Sequence, residues 1–163
     1  MITGTLFIFC GKMASGKTTL AKEISQERSS ILISEDALLE KLYPDQINDV
    51  SSYVHFSGKL KSAMKPILVE LLHYGVSIVL DFPANTIDQR KWIKGIIDES
   101  KAHHVFHYLD SSNSLCKSQL NKRAFEEPER RATDTAEMFD AISRYFEPPT
   151  SDEGFEIVTH KRQ

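Results

Sequence analysis

Gly11-Lys12-Met13-Ala14-Ser15-Gly16-Lys17-Thr18 is the stretch on which the reading of this chain turns. It fits G-x-x-x-x-G-K-[ST] at every fixed position. Just before it, residues 5–10 (TLFIFC) are short, apolar and rich in β-formers, the mark of a buried strand. Just after it, residues 18–28 place Leu20, Ala21 and Ile24 on one face of a helix. A strand, a glycine-bounded turn and a helix start are the context in which such a segment holds phosphate. The glycines let the backbone turn tightly and bring its N–H groups close to phosphate oxygens. The helix N-terminus adds a partial positive charge. In this pattern Lys17 bridges the β- and γ-phosphates and the Thr18 hydroxyl binds Mg²⁺. The expected nucleotide-binding residues are therefore Gly11, Lys12, Met13, Ala14, Ser15, Gly16, Lys17 and Thr18, with Thr19 beside the α-phosphate.

Outward from this motif, strands and helices alternate. Residues 30–34 (SILIS) read as a second strand, and residues 35–43 as a short helix stopped by Pro44. Residues 51–74 are helical, with Leu60, Met64, Ile67, Leu68 and Leu71 on one face, and Pro66 is expected to kink or divide them. Residues 76–80 (VSIVL) form a strand ending in Asp81, and Thr86-Ile-Asp-Gln89 is a capping box for a helix running to about Ser100. Residues 104–109 are a strand ending in Asp110, followed by a helix over about 112–125. The charged break at 126–133 precedes a capping signal, Asp134-Thr-Ala-Glu137, and a helix to about Phe146. A weak strand at 155–158 comes last. This order predicts an α/β/α three-layer sandwich around a parallel sheet of about five strands. Parallel strands share one C-terminal rim, so Gly11, the 34–36 turn, Asp81 and Asp110 should line it, where open α/β sheets bind ligands.

The chain has 163 residues, 20 Lys plus Arg and 23 Asp plus Glu, a formal charge of −3. That length suits one domain over residues 1–163, able to bury a core unaided. The charge balance argues against a DNA-coating protein, which is usually strongly basic. With 40% hydrophobic and 26% charged residues the composition is globular rather than disordered. Cys10, in an apolar run, and Cys116, in a polar helix, make neither a disulfide framework nor a metal site, and read as free thiols in a reducing compartment. The longest apolar runs fall far short of the ~20 residues that span a bilayer. No basic segment precedes an apolar stretch with a cleavage site. A cytoplasmic protein without a membrane partner is the expectation.

Further candidates sit on the same rim. Asp81 ends its strand in the pattern of a second Mg²⁺-holding carboxylate, since a hard cation takes oxygen ligands and keeps several waters. Asp110 competes for that role, although, followed by Ser-Ser-Asn-Ser, it reads more naturally as turn and helix-cap material. Asp36, after the second strand, is placed to accept the proton of an acceptor hydroxyl. Glu35 suits a helix-end charge instead. Lys117, Lys122, Arg123, Arg130 and Arg131 cluster around Pro128. As a segment, about 120–133 reads as a mobile lid whose arginines close on the transferring phosphoryl group, Arg123 first and Arg130 second. His103 and His107 would lie ~13 Å apart on one strand face, with His104 on the other, and read as ordinary strand residues rather than metal ligands. Trp92 and the phenylalanines read as core.

The loop at 11–18, Ile33-Ser-Glu-Asp36, Val79-Leu-Asp81 and the 123–131 segment occur in this order in small P-loop kinases, which the chain resembles. It is most similar to the AAA_33-type ATP-binding proteins. That group includes the 5′-kinase domain of polynucleotide kinase, chloramphenicol phosphotransferase and zeta-toxin-like kinases. The resemblance implies an adenylate-kinase-like P-loop NTPase sheet of order 2-3-1-4-5 and Mg·ATP as phosphoryl donor. It implies Asp36 as base and Arg123 and Arg130 as lid arginines. The ending Arg144-Tyr-Phe-Glu-Pro-Pro149 and Asp152-Glu-Gly-Phe155 is similar to that of bacterial members known as ATP-binding proteins, so the resemblance names no acceptor.

The leading expectation is an ATP-dependent phosphotransferase acting on a hydroxyl of a small-molecule acceptor. One alternative is an ATP-binding regulator without an acceptor. Another is a polynucleotide 5′-hydroxyl kinase, which the overall acidity disfavours. A GTPase switch is excluded because Asn121-Lys122-Arg123 is followed by Ala124 and fails N-K-x-D.

Overall fold

The computed structural model describes residues 2–128 and 134–163. Its centre is β1 (Thr5–Gly11), in which every residue from Leu6 onward is buried. Apolar on both faces, it is flanked by β3 (Ile78–Asp81) and β4 (His103–Ser111), both parallel to it. β2 (Ile31–Ser34) joins β3 and β5 (Ile157–Arg162) joins β4, again in parallel. The order is β2-β3-β1-β4-β5, as the family resemblance implies.

Alternate residues of β1 enter different cores. Leu6, Ile8 and Cys10 pack with Leu60, Leu68 and Leu72 of α3 (Val50–His73) and Ile93, Ile96 and Ile97 of α4 (Ile87–Ser100). Phe7 and Phe9 pack with Ala21 and Ile24 of α1 (Lys17–Glu27). A third cluster joins Cys116 and Leu120 of α5 (Asn113–Glu126) to Phe139 of α6 (Ala136–Ser143), against Met13 and Ala14. The remaining helix, α2 (Glu35–Leu42), follows β2 directly. Among the described residues no helix is long and apolar enough to cross a membrane.

Several expectations are corrected. Pro66 lies inside an unbroken α3 rather than dividing it. It and Ser62, whose carbonyl it frees, are both exposed, so water takes over the lost hydrogen bond. β4 runs on to Ser111, so Asp110 is a strand residue, and Ser112 is the cap, accepting from the Leu115 N–H at 3.2 Å. The helix after the charged break starts one residue later than its capping pattern suggests. Thr135, not Asp134, caps α6, which ends at Ser143. The last strand spans Ile157–Arg162, because the polar run after Val158 pairs along β4 as a largely exposed edge strand. Phe155 instead packs into the core on Phe106.

The largest fully buried side chain is a charged one, Arg90 of α4. Its Nε donates to Glu153 Oε1 at 2.8 Å, Nη1 to the Ala84 carbonyl at 3.0 Å and Nη2 to the Pro148 carbonyl at 3.5 Å. One guanidinium thus joins α4, the turn after β3 and the segment leading into β5. Replacing Arg90 by Met should lower stability by about 3–5 kcal/mol, since it strips acceptors of a buried partner. Glu153→Gln, which keeps an oxygen for Nε, should cost less. Denaturant melts of the three proteins check this, and equal midpoints would refute it.

His107 of β4 pairs with His160 of β5, Nδ1 to Nε2 at 3.0 Å, and stacks on Phe9. Burial, then the neighbouring His160, pushes its pKa down from 6.5 to about 4. Between those values the unfolded chain binds more protons than the folded one. The stability tied to His107 should therefore be complete above pH 6.5 and drain away as pH falls toward 4. His107→Phe should flatten that part of a stability-versus-pH curve measured by chemical denaturation.

Candidate nucleotide and phosphoryl-transfer site

The phosphate loop leaves the end of β1 and closes onto α1. Ala14 and Gly16 both take left-handed backbone, with φ of 60° and 101°, which turns successive N–H groups to one side. Gly16 is the N-cap of α1 and supplies no side-chain cap, so the first N–H groups of the helix are left for a ligand. Space also demands glycine: a Cβ on Gly11 would stand 2.5 Å from Ser15 Oγ, and one on Gly16 2.7 Å from Arg162 Nη1. Ser15 is 1% exposed and its Oγ has no hydrogen-bond partner among the described residues, an orphaned polar atom within the loop.

Lys17 folds back across this loop, donating to the Gly11 carbonyl and, at 3.2 Å, to the Lys12 carbonyl. Burial pulls its ammonium pKa down, while Cys10, Asp81 and Asp36 pull it back up. Thr18 Oγ1 donates to Asp81 Oδ2 at 3.2 Å. Burial raises the Asp81 carboxyl, the Thr18 hydrogen bond opposes that, and the charge of Asp36 adds to it. The alcohol and carboxylate together form an oxygen pair of the kind a Mg²⁺ ion takes, with phosphate oxygens and water left to complete it. Among the described residues no group of three His, Cys, Asp or Glu is placed to hold a metal.

Asp36 reaches this neighbourhood through sheet register. Ser34 pairs with Asp81, so the residues after β2 emerge beside the end of β3. Ser34 caps α2 by accepting from the Ala37 N–H at 3.3 Å, which leaves Asp36 exposed in the first turn. Glu35 is no solvated helix-end charge: it is 1% exposed and accepts from the Tyr53 hydroxyl at 2.5 Å and the Ser57 hydroxyl at 2.8 Å. Burial raises its pKa against those two hydrogen bonds. Its work is to bolt α2 to α3 and so to aim Asp36. Asp110 lines a cleft of about 210 Å³ with Ser112, Lys161 and Arg162.

The arginine cluster divides. Arg123 holds Asp134 with Nε at 2.6 Å and Nη2 at 2.9 Å, a bidentate pair that brackets α5 and α6. Lys117 bridges to Asp140 at 3.1 Å and Lys122 approaches Glu126 at 3.9 Å. Arg130 and Arg131, with the rest of 129–133, lie outside the described residues, so the expected lid is described only at its edges. Cys10 and Cys116 are both buried and free, and burial lifts the Cys10 thiol to about 12, beyond use as a nucleophile at neutral pH.

Two residues here escaped the sequence reading. Asn85 Oδ1 accepts from the Gly11 N–H at 2.9 Å and so fixes where the loop departs from the sheet. Its signal was present in the Asp81-Phe-Pro-Ala-Asn85 turn ahead of the Thr86 capping box, which forms as expected. Arg162 presses on Gly16 from the end of β5, and nothing local in Thr159-His-Lys-Arg162 announces that.

A family model for the AAA domain, AAA_33, matches residues 6–149. The chain belongs to that family. The loop at 11–18, Asp36 and Asp81 all fall within the matched residues. The fold is shared with a candidate kinase of Chloroflexus aurantiacus at 18% identity and a TM-score of 0.74, covering 98% of this chain and 88% of that one. It is shared with the APS kinase CysC of Mycobacterium tuberculosis, solved with AMPPNP and APS, at 15% identity and 0.66, covering 98% and 90%. Kti12 of Chaetomium thermophilum, solved with ADP-AlF3, matches at 15% and 0.66, covering 96% and 88%. No curated protein matches the chain.

Removing the Tyr53 hydroxyl tests how Glu35 is held. Tyr53→Phe should lower stability by about 1–3 kcal/mol, the cost of leaving a buried acceptor unpaired. Urea melts measure it, and an unchanged midpoint would show that Glu35 does not anchor α2.

Proposed function

We propose that this AAA_33 member is a phosphotransferase that moves the γ-phosphate of Mg·ATP to a hydroxyl group. One observation carries the reading: Lys17, Thr18, Asp81 and Asp36 converge where β1, β3 and β2 end side by side. The nucleotide complexes of the APS kinase and of Kti12, which share the fold, support ATP as the ligand of the loop.

In this reading the N–H groups of residues 12–19 and the helix N-terminus hold the phosphates, and Ser15 Oγ gains the partner it lacks. Lys17 leaves the Gly11 and Lys12 carbonyls for the β- and γ-phosphates. Thr18 and Asp81 hold Mg²⁺, which neutralises charge on the phosphate oxygens when bound. Asp36 accepts the proton of the acceptor hydroxyl as that oxygen bonds to the γ-phosphorus. The bond from phosphorus to the β,γ-bridging oxygen breaks, and ADP leaves with the electron pair. Arg162, already against Gly16, adds positive charge at the loop. Arg123 contributes by keeping α6 packed near Met13 and Ala14 through Asp134. Arg130 stands in this proposal as the arginine of the lid. Most of the rate enhancement is positioning and charge neutralisation.

An acceptor screen with labelled ATP and Mg²⁺, paired with calorimetry, tests the assignment. Lys17→Ala should lose most Mg·ATP affinity. Asp36→Asn should bind ATP nearly as the parent does but transfer phosphate about 10²–10⁴-fold more slowly, the usual worth of a general base. Transfer at the parental rate by Asp36→Asn would remove the base from the mechanism. Slow ATP hydrolysis that no hydroxyl compound accelerates would favour a regulator without an acceptor.

A further inference from the structure

On α2, Asp36 stands three residues before Leu39 and four before Glu40, and Tyr43, the C-cap, comes three after Glu40, so the four lie toward one side. With Asp45 from the following loop and Tyr53 from α3, this face helps to line a cleft of about 340 Å³. That is the low end of the ~300–1,000 Å³ range of small-ligand sites. The cleft begins at the carboxylate proposed as base, which makes it the place for an acceptor.

Its walls are set in advance. Tyr43 packs against Phe56 with the rings tilted by 32° and their centroids 4.3 Å apart, and Tyr53 is pinned through its hydroxyl to Glu35. Its charge is one-sided. Three carboxylates, Asp36, Glu40 and Asp45, line it, and among the described residues no lysine or arginine does. Buried Glu35 lies behind them. Lys17 is held on the phosphate loop, and Lys61 lies over the Trp92 ring at 5.5 Å with its charge acting on Glu35 behind the cleft. A cleft with one sign of charge focuses its field on what enters. A phosphate, sulfate or carboxylate on the acceptor would be repelled, whereas an ammonium would gain charge-assisted hydrogen bonds.

We infer that the acceptor is a hydroxyl-bearing amine of about amino-sugar size, with Glu40 and Asp45 holding its ammonium and the tyrosine rings flanking its body. This rests on the phosphotransferase reading. The acceptor oxygen bonds to the γ-phosphorus, its proton passes to Asp36, and ADP departs with the electrons of the broken bond. The positive acceptor also offsets the negative charge gathered at the γ-phosphate.

The test uses the full chain, γ-labelled ATP and Mg²⁺, with three panels. The amines are glucosamine, 2-deoxystreptamine and kanamycin A; the neutral compounds are glucose, myo-inositol and adenosine; the anions are gluconate and a 5′-hydroxyl oligonucleotide. Transfer should favour the amines. The double variant Glu40→Gln, Asp45→Asn should raise KM for the best amine about tenfold or more, as expected when charged hydrogen bonds are lost, with ATP affinity unchanged. That unchanged affinity also certifies that the variant is folded. Faster transfer to a neutral or anionic compound, or an unmoved KM, would overturn the inference and leave the phosphotransferase standing. ATP binding with transfer to no compound in any panel would overturn both.

Discussion

A guanidinium almost without water must be met by acceptors on every side, and the fold is arranged around that demand at Arg90. The carbonyls of Ala84 and Pro148 and the carboxylate of Glu153 come from two stretches of chain, the turn after β3 and the segment leading into β5. Satisfying one side chain therefore locks the turn after β3 against the approach to β5. The same turn carries Asn85, whose side-chain oxygen takes the Gly11 N–H and whose carbonyl takes the Glu147 N–H. The phosphate loop inherits its exit direction from this buried polar knot as much as from the apolar core beneath it.

The site lies where the chemistry of a parallel sheet concentrates ligand-binding groups. Every strand delivers its C-terminal end to one rim, and the register of β2 on β3 sets Ser34 opposite Asp81. Two neighbouring residues then take opposite fates. Glu35 turns inward and is consumed by Tyr53 and Ser57; Asp36 turns outward into the cleft. The inner carboxylate fixes the helix, and the outer one is left to meet a ligand.

The layered sheet, its parallel direction and the phosphate loop were legible in the sequence because each is written locally, in apolar runs, glycine spacing and capping residues. Thr86-Ile-Asp-Gln89 forms its box as read. What was not legible is long-range. That Glu35 rather than Asp36 is buried depends on α3 packing, since both suit a helix start equally well. Asp134 resembles a cap until Arg123, a turn of chain away, takes it as a partner. Pro66 looks like a break unless its carbonyl partner is known to face water. The polar residues of β5 look like a tail until β4 is there to pair with them.

That last strand has a consequence for how the protein is made. The loop at Gly11–Thr18 leaves a ribosome well before Asn85, and Arg162 arrives later still. None of the described strands pairs with a neighbour through a hairpin, so each ladder waits for a helix to be completed between its partners. The loop thus acquires its full polar frame only when β5 zips onto β4, after the other described strands have been made.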